Sequence, residues 1–109
     1  MKFPAQEPRP FSRSSIAQAP DQEGLYGLFR AESDGERFIY IGYGNIRERL
    51  EQHLDGIPPE ILKEDPEFWV VAYTSAIERT LVELIENLQP LYHDSSELLR
   101  PSPRSPNGQ

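Results

Sequence analysis

The chain contains no cysteine. That excludes disulfides, thiolate metal sites and a cysteine nucleophile together. It also lacks any apolar run of the roughly 18 residues that a membrane-spanning helix needs, so no membrane partner is expected. The opening MKFPAQEPRPFSRSS has no apolar core and is polar and proline-rich, which argues against a secretory signal and makes a cytoplasmic location the default expectation. Positive charge is scarce: 11 Lys and Arg stand against 18 Asp and Glu, a formal net of -7. Within residues 21–94 the balance is 6 basic against 16 acidic side chains, a difference of -10. Proteins that neutralise phosphates along a nucleic acid normally carry a basic stripe. This sequence shows none, which weighs against tight autonomous DNA binding unless a divalent cation or a basic partner alters the local field.

What is present suits one small domain. With 109 residues and 37% hydrophobic content, the chain can build a single modest core. Residues 1–20 hold Pro4, Pro8, Pro10 and Pro20 and read as an irregular N-terminal arm. Residues 95–109 are again polar and proline-rich and read as a loose tail. Either arm is a candidate surface for a protein partner. The folded domain is expected over 21–94.

Two strands, Gly24–Ala31 and Arg37–Gly42, flank a turn signalled by Asp34-Gly35. Strict alternation puts Phe38 and Tyr40 on one face of the second strand, and Ile39 and Ile41 on the other. Gly42-Tyr43-Gly44 is expected to break that strand, and Asn45 to cap a helix over 46–54 whose apolar face is Ile46, Leu50 and Leu54. Pro59–Glu64 suggests a further helical turn. Phe68–Tyr73 (FWVVAY) reads as a short, apolar, central strand, with Trp69 in the core. A last helix over 76–88 has Ile77, Leu81, Leu84, Ile85 and Leu88 on its apolar face. Ser75 with Glu78 has the spacing of a capping box at its start, and Pro90 ends it. The fold class is therefore α+β: a three-stranded antiparallel or mixed sheet flanked by helices, in the order β-β-α-β-α.

Several short motifs fall on these elements in a definite order. Gly24-Leu25-Tyr26 opens the first strand and Tyr40-Ile41-Gly42 lies in the second. Asn45-Ile46-Arg47-Glu48-Arg49-Leu50 and His53 follow on the helix. Leu84-Ile85 and Pro90-Leu91-Tyr92 come at the exit. Together they resemble the GIY-YIG nuclease family over roughly residues 24–93. The resemblance implies hydrolysis of DNA phosphodiester bonds with one divalent cation, Mg²⁺ or Mn²⁺. It implies that Tyr26 or Tyr40 activates or orients water, that Arg49 stabilises phosphate charge, and that His53, one turn beyond Arg49, orients water or transfers a proton.

The chain also departs from the family pattern. The metal-binding glutamate is expected three residues before Leu84-Ile85, where this sequence has Leu81. Glu78, one helical turn earlier, is the candidate metal ligand in its place; Glu83 lies on another face. Glu48 stands before the helix arginine where the family often has lysine, and His93 replaces the asparagine after the closing proline. The loop before the arginine is one residue short. A second function class follows from these departures: a non-catalytic binding or regulatory module on the same scaffold.

Read as single residues, the candidates have plainer roles. Tyr26 and Tyr40 suit half-buried strand positions, and Arg49 a solvated helix position beside Glu48 and Glu51. His53 alone would be a surface histidine, Glu78 a capping residue and His93 a loop residue. Glu60, Glu64, Asp65 and Glu67 read as a solvated acidic face.

Overall fold

The computed structural model describes residues 7–94. The elements are β1 (Arg9–Pro10), α1 (Arg13–Ile16), β2 (Glu23–Glu32), β3 (Gly35–Asn45), α2 (Ile46–Leu54), α3 (Pro59–Lys63), β4 (Phe68–Ala72), α4 (Ile77–Leu88) and β5 (Tyr92–His93). They form an α+β fold on a mixed sheet of five strands in the order β1-β4-β2-β3-β5. The expected three strands are its centre. Each edge carries a further two-residue strand, β1 antiparallel to β4 and β5 parallel to β3. No helix among the described residues is long and apolar enough to cross a membrane. The proposed tail, residues 95–109, lies outside the described residues.

The β2–β3 hairpin turns at Gly35, whose φ of +136° is open to glycine and strained for any other residue. Its register slips between Leu28, which faces Tyr40, and Phe29, which faces Phe38. Ile39 is the extra residue of a β-bulge. Strict alternation fails there, and the expected facing of β3 is corrected: Ile39 and Tyr40 point into one core, Phe38 and Ile41 into the other. Nor does β3 break at Gly42. It stays paired with β2 through Tyr26–Gly42 and Gly24–Gly44 and ends at Asn45.

The sheet separates two apolar layers. On one face Tyr26, Leu28, Ile39, Tyr40, Trp69 and Val71 meet Ile46 and Leu50 of α2, Ile61 of α3, and Ile16 and Ala19 of the N-terminal segment. On the other face Leu25, Phe29, Phe38, Ile41, Val70 and Ala72 are covered by Leu81 and Leu84 of α4. The N-terminal segment, expected to be irregular, is thus partly regular. The Ser12 side chain caps α1, Ile16 and Ala19 are fully buried, and Trp69 Nε1–H donates to Ser15 Oγ at 3.2 Å. Arg47 Nε–H donates to the Ala19 carbonyl at 2.9 Å, joining this segment to α2.

The capping box expected at α4 does not form: the N-cap position is Ala76, without a side-chain hydrogen bond. Thr74 Oγ1 instead accepts the Ala76 N–H at 3.0 Å. At the other end Gln89 adopts the left-handed conformation and its N–H returns to the Ile85 carbonyl, so the helix closes just before Pro90. The acidic residues after α3 are not simply solvated. Glu64 binds Arg30 through both its carbonyl and its carboxylate, and Glu67 Oε1 accepts the Ala31 N–H.

Leu81 is fully buried in the second layer. Leu81→Ala is expected to lower the free energy of unfolding by about 2–5 kcal/mol, measured by urea denaturation. A loss well under 1 kcal/mol, as surface changes show, would place Leu81 outside the core.

Candidate functional site

Three elements deliver one polar cluster to the edge of the first core layer. Strand β2 contributes through Tyr26 and β3 through Tyr40, which lie on the same sheet face with ring centroids 5.9 Å apart. The third element, α2, starts directly from β3. The Asn45 side chain accepts the Glu48 N–H at 3.0 Å and fixes the helix start. Burial of Ile46 and Leu50 then turns Arg49 and His53, one turn apart, toward the tyrosines.

The cluster is continuous. Arg49 Nε–H donates to Tyr26 Oη at 3.2 Å and Nη2–H donates to Tyr40 Oη at 3.1 Å. Tyr26 Oη lies 2.7 Å from His53 Nε2. Because that phenol oxygen already accepts from Arg49, the consistent assignment has the phenol donating to a neutral imidazole. Both tyrosine rings also pack against the His53 ring, at centroid distances of 5.6 Å and 4.8 Å.

A fifth member comes from the end of the described chain. Asp94 follows β5, and its N–H donates to the Ile41 carbonyl at 3.0 Å. Its Oδ1 accepts from the Tyr40 hydroxyl and, at 3.1 Å, from Arg49 Nη2. Oδ2 accepts the Tyr43 N–H at 2.9 Å and lies 3.4 Å from Arg49 Nη2. Gly42 makes room for this arrangement. A Cβ there would stand 2.7 Å from Asp94 Oδ2 and 2.9 Å from Tyr26 Oη, closer than real contacts allow. Gly44 likewise leaves space under Arg49, where a Cβ would meet Cγ at 3.2 Å.

Burial sets the protonation states. It raises the Tyr26 hydroxyl well above its ordinary value, with Tyr40 adding to the rise and Arg49 opposing it. Burial, and then the hydrogen bond to Asp94, likewise raise Tyr40. Neither phenol is therefore a ready phenolate. Burial would lower Arg49, but Tyr26 and Asp94 outweigh that, so its guanidinium stays charged. Burial, followed by repulsion from Arg49, lowers His53 to about 4, leaving a neutral ring near pH 7.

Four of the five residues singled out in the sequence thus meet within hydrogen-bond reach. His53 is 1% exposed and is no surface histidine. Glu78, the fifth, sits in the first turn of α4, a helix that packs on the opposite face of the sheet. His93 is exposed, and its Nδ1 contacts the Asp94 carbonyl at 2.9 Å. Among the described residues, no three His, Asp or Glu side chains gather into a set able to hold a metal ion. Among the described residues the single carboxylate in the cluster is Asp94, which already accepts from a phenol, a guanidinium and a backbone N–H. The donor set does not fit a divalent cation there: no carboxylate oxygen is left uncommitted, and a fixed cation stands beside it. Sequence reading missed Asp94 because nothing in the spacing marks it. It is one acidic residue among many, and only the parallel pairing of β5 brings it beside Arg49.

No family model, no curated protein and no solved structure matches the chain.

The buried neutral imidazole makes stability pH-dependent. The folded value near 4 lies below the ordinary value of about 6.5, so between them the unfolded chain binds the extra proton. Stability is full above about pH 6.5 and declines as pH falls toward 4, by on the order of 3 kcal/mol. Urea unfolding across that window checks this. His53→Gln should remove most of the slope; an unchanged slope would contradict a neutral His53 in the folded state.

Proposed function

We propose that the chain is a GIY-YIG-like module that binds phosphate groups, nucleic acid being the ligand class its motifs suggest, and does not hydrolyse them. The observation that carries this reading is the state of Arg49. Its guanidinium is oriented by both tyrosine hydroxyls and keeps 31% of its side chain exposed, and the carboxylate beside it among the described residues, Asp94, is already hydrogen-bonded to Tyr40 and the Tyr43 N–H. An oriented guanidinium with phenol hydroxyls close by suits oxyanion recognition. Hydrolysis is less well supported. Both phenols are held in their protonated form by burial, Tyr26 and His53 are almost wholly buried, and Leu81 fills the glutamate position with apolar core.

A second reading is favoured by the convergence of Tyr26, Tyr40, Arg49 and His53 itself. It is the metal-dependent nuclease, in which Mg²⁺ or Mn²⁺ would bind through Glu78. That reading requires Glu78 to reach the cluster from the far side of the sheet. Both readings use Arg49 for phosphate.

Labelled single-stranded, duplex and branched DNA, each with and without Mn²⁺, distinguish them. The expected result is weak, salt-sensitive binding without cleavage, lost in Arg49→Ala by about tenfold or more, as for a hydrogen bond to a charged group. Cleavage that requires Mn²⁺ and disappears in Glu78→Ala would establish the nuclease instead. Binding unchanged in Arg49→Ala would overturn the phosphate-site assignment.

A further inference from the structure

Asp94 engages the donors that the Arg49 site would offer to an oxyanion. Its two oxygens receive the Tyr40 hydroxyl, Arg49 Nη2–H and the Tyr43 N–H, donors from a phenol, a guanidinium and the backbone. That set of charged and neutral donors suits one phosphate oxygen edge as well as a carboxylate. Such a constellation on the protein's own chain neutralises Arg49 from within. An outside anion approaching the guanidinium meets a negative charge already seated there, in surroundings where charges act strongly on each other.

Backbone hydrogen bonds flank the carboxylate as well: the Leu91 N–H donates to the Phe38 carbonyl at 3.2 Å and the Asp94 N–H to the Ile41 carbonyl at 3.0 Å. The carrier of the carboxylate, β5, has two residues, lies at the edge of the sheet and pairs with β3 at Tyr40–Tyr92 and Ile41–His93. Tyr92 and His93 are exposed, as is Leu91 just before them, so no apolar side chain of β5 anchors it in the core. A strand with few buried contacts opens at low free-energy cost. Asp94 itself is 8% exposed, buried by the ligand-like position it holds.

We infer that Asp94 is a built-in competitor for the Arg49 site: a latch whose carboxylate must leave Arg49 and Tyr40 before a phosphate-bearing ligand can take both donors. This rests on the phosphate-binding reading and adds to it an autoinhibitory contact. Affinity is then set by an exchange of one anion for another, and anything that draws β5 away from β3 activates the site.

Inorganic phosphate is the probe, followed by the amide signal of Tyr43 and the Nε–H signal of Arg49 in ¹⁵N-resolved NMR. In the wild type, phosphate at millimolar levels is expected to shift both signals together, because the Tyr43 N–H loses its carboxylate partner as the anion enters. Asp94→Asn keeps the size and one carbonyl acceptor but removes the charge. It should bind phosphate about tenfold more tightly or better, and adding Arg49→Ala to it should abolish the gain. Unchanged or weaker phosphate binding in a folded Asp94→Asn protein overturns the latch and makes Asp94 a residue that positions Arg49. Should that variant fail to fold, the wild-type titration decides alone: a shift at Arg49 with none at Tyr43, or no shift at either, overturns the inference. Tighter phosphate binding in Asp94→Asn with no binding of DNA by either protein would uphold the latch and reject nucleic acid as the ligand class.

Discussion

The Arg49 guanidinium depends on partners from three different parts of the chain, and much of the architecture can be understood as delivering them. Tyr26 comes from β2, Tyr40 from β3 and Asp94 from the segment after β5. A half-buried cation needs such partners, since removing it from water is costly unless its donors are met. The same requirement fixes α2. Its Asn45 cap and the burial of Ile46 and Leu50 leave only one helical face for Arg49 and His53, and that face meets the tyrosines.

The sheet explains how polar groups survive in this position. The bulge at Ile39 resets the alternation of β3 so that Tyr40 joins Tyr26 on the α2 side. Gly42, on β3 beside them, carries no side chain to collide with the Asp94 carboxylate or the Tyr26 hydroxyl. On the other face α4 covers a purely apolar layer. Leu81 belongs there for the same reason as Leu84: both lie on the helix face that covers the sheet, while Arg79, Glu83 and Glu86 face water on the other side. Two chemically different layers therefore share one set of strands, with the alternation of side chains keeping them apart.

The hairpin, α2, the central strand and α4 were legible because each combines a periodic apolar pattern with a local stop signal, as with Asn45 before Ile46 or Pro90 after Leu88. Four members of the polar cluster were legible from motif order. What could not be read depends on long-range pairing. The bulge at Ile39 appears only when β3 is laid against β2. The two edge strands are too short to leave a pattern. Ser75 with Glu78 has the spacing of a capping box, yet Thr74 takes the Ala76 N–H because the helix starts one residue later than the cap would need. Burial of Ile16 and Ala19 depends on α2 and Trp69 being in place. Asp94 was hidden because its partner lies 45 residues earlier in the chain.

The cluster has its centre only if Arg49 and Asp94 act on each other in solution. The most direct measurement is a double-mutant cycle with Arg49→Gln, Asp94→Asn and the pair, read as unfolding free energies in urea at neutral pH. A partly buried, hydrogen-bonded ion pair predicts a coupling of about 1–3 kcal/mol. Effects that simply add, within about 0.5 kcal/mol, would mean that the carboxylate does not hold the guanidinium, and the cluster would lose its centre.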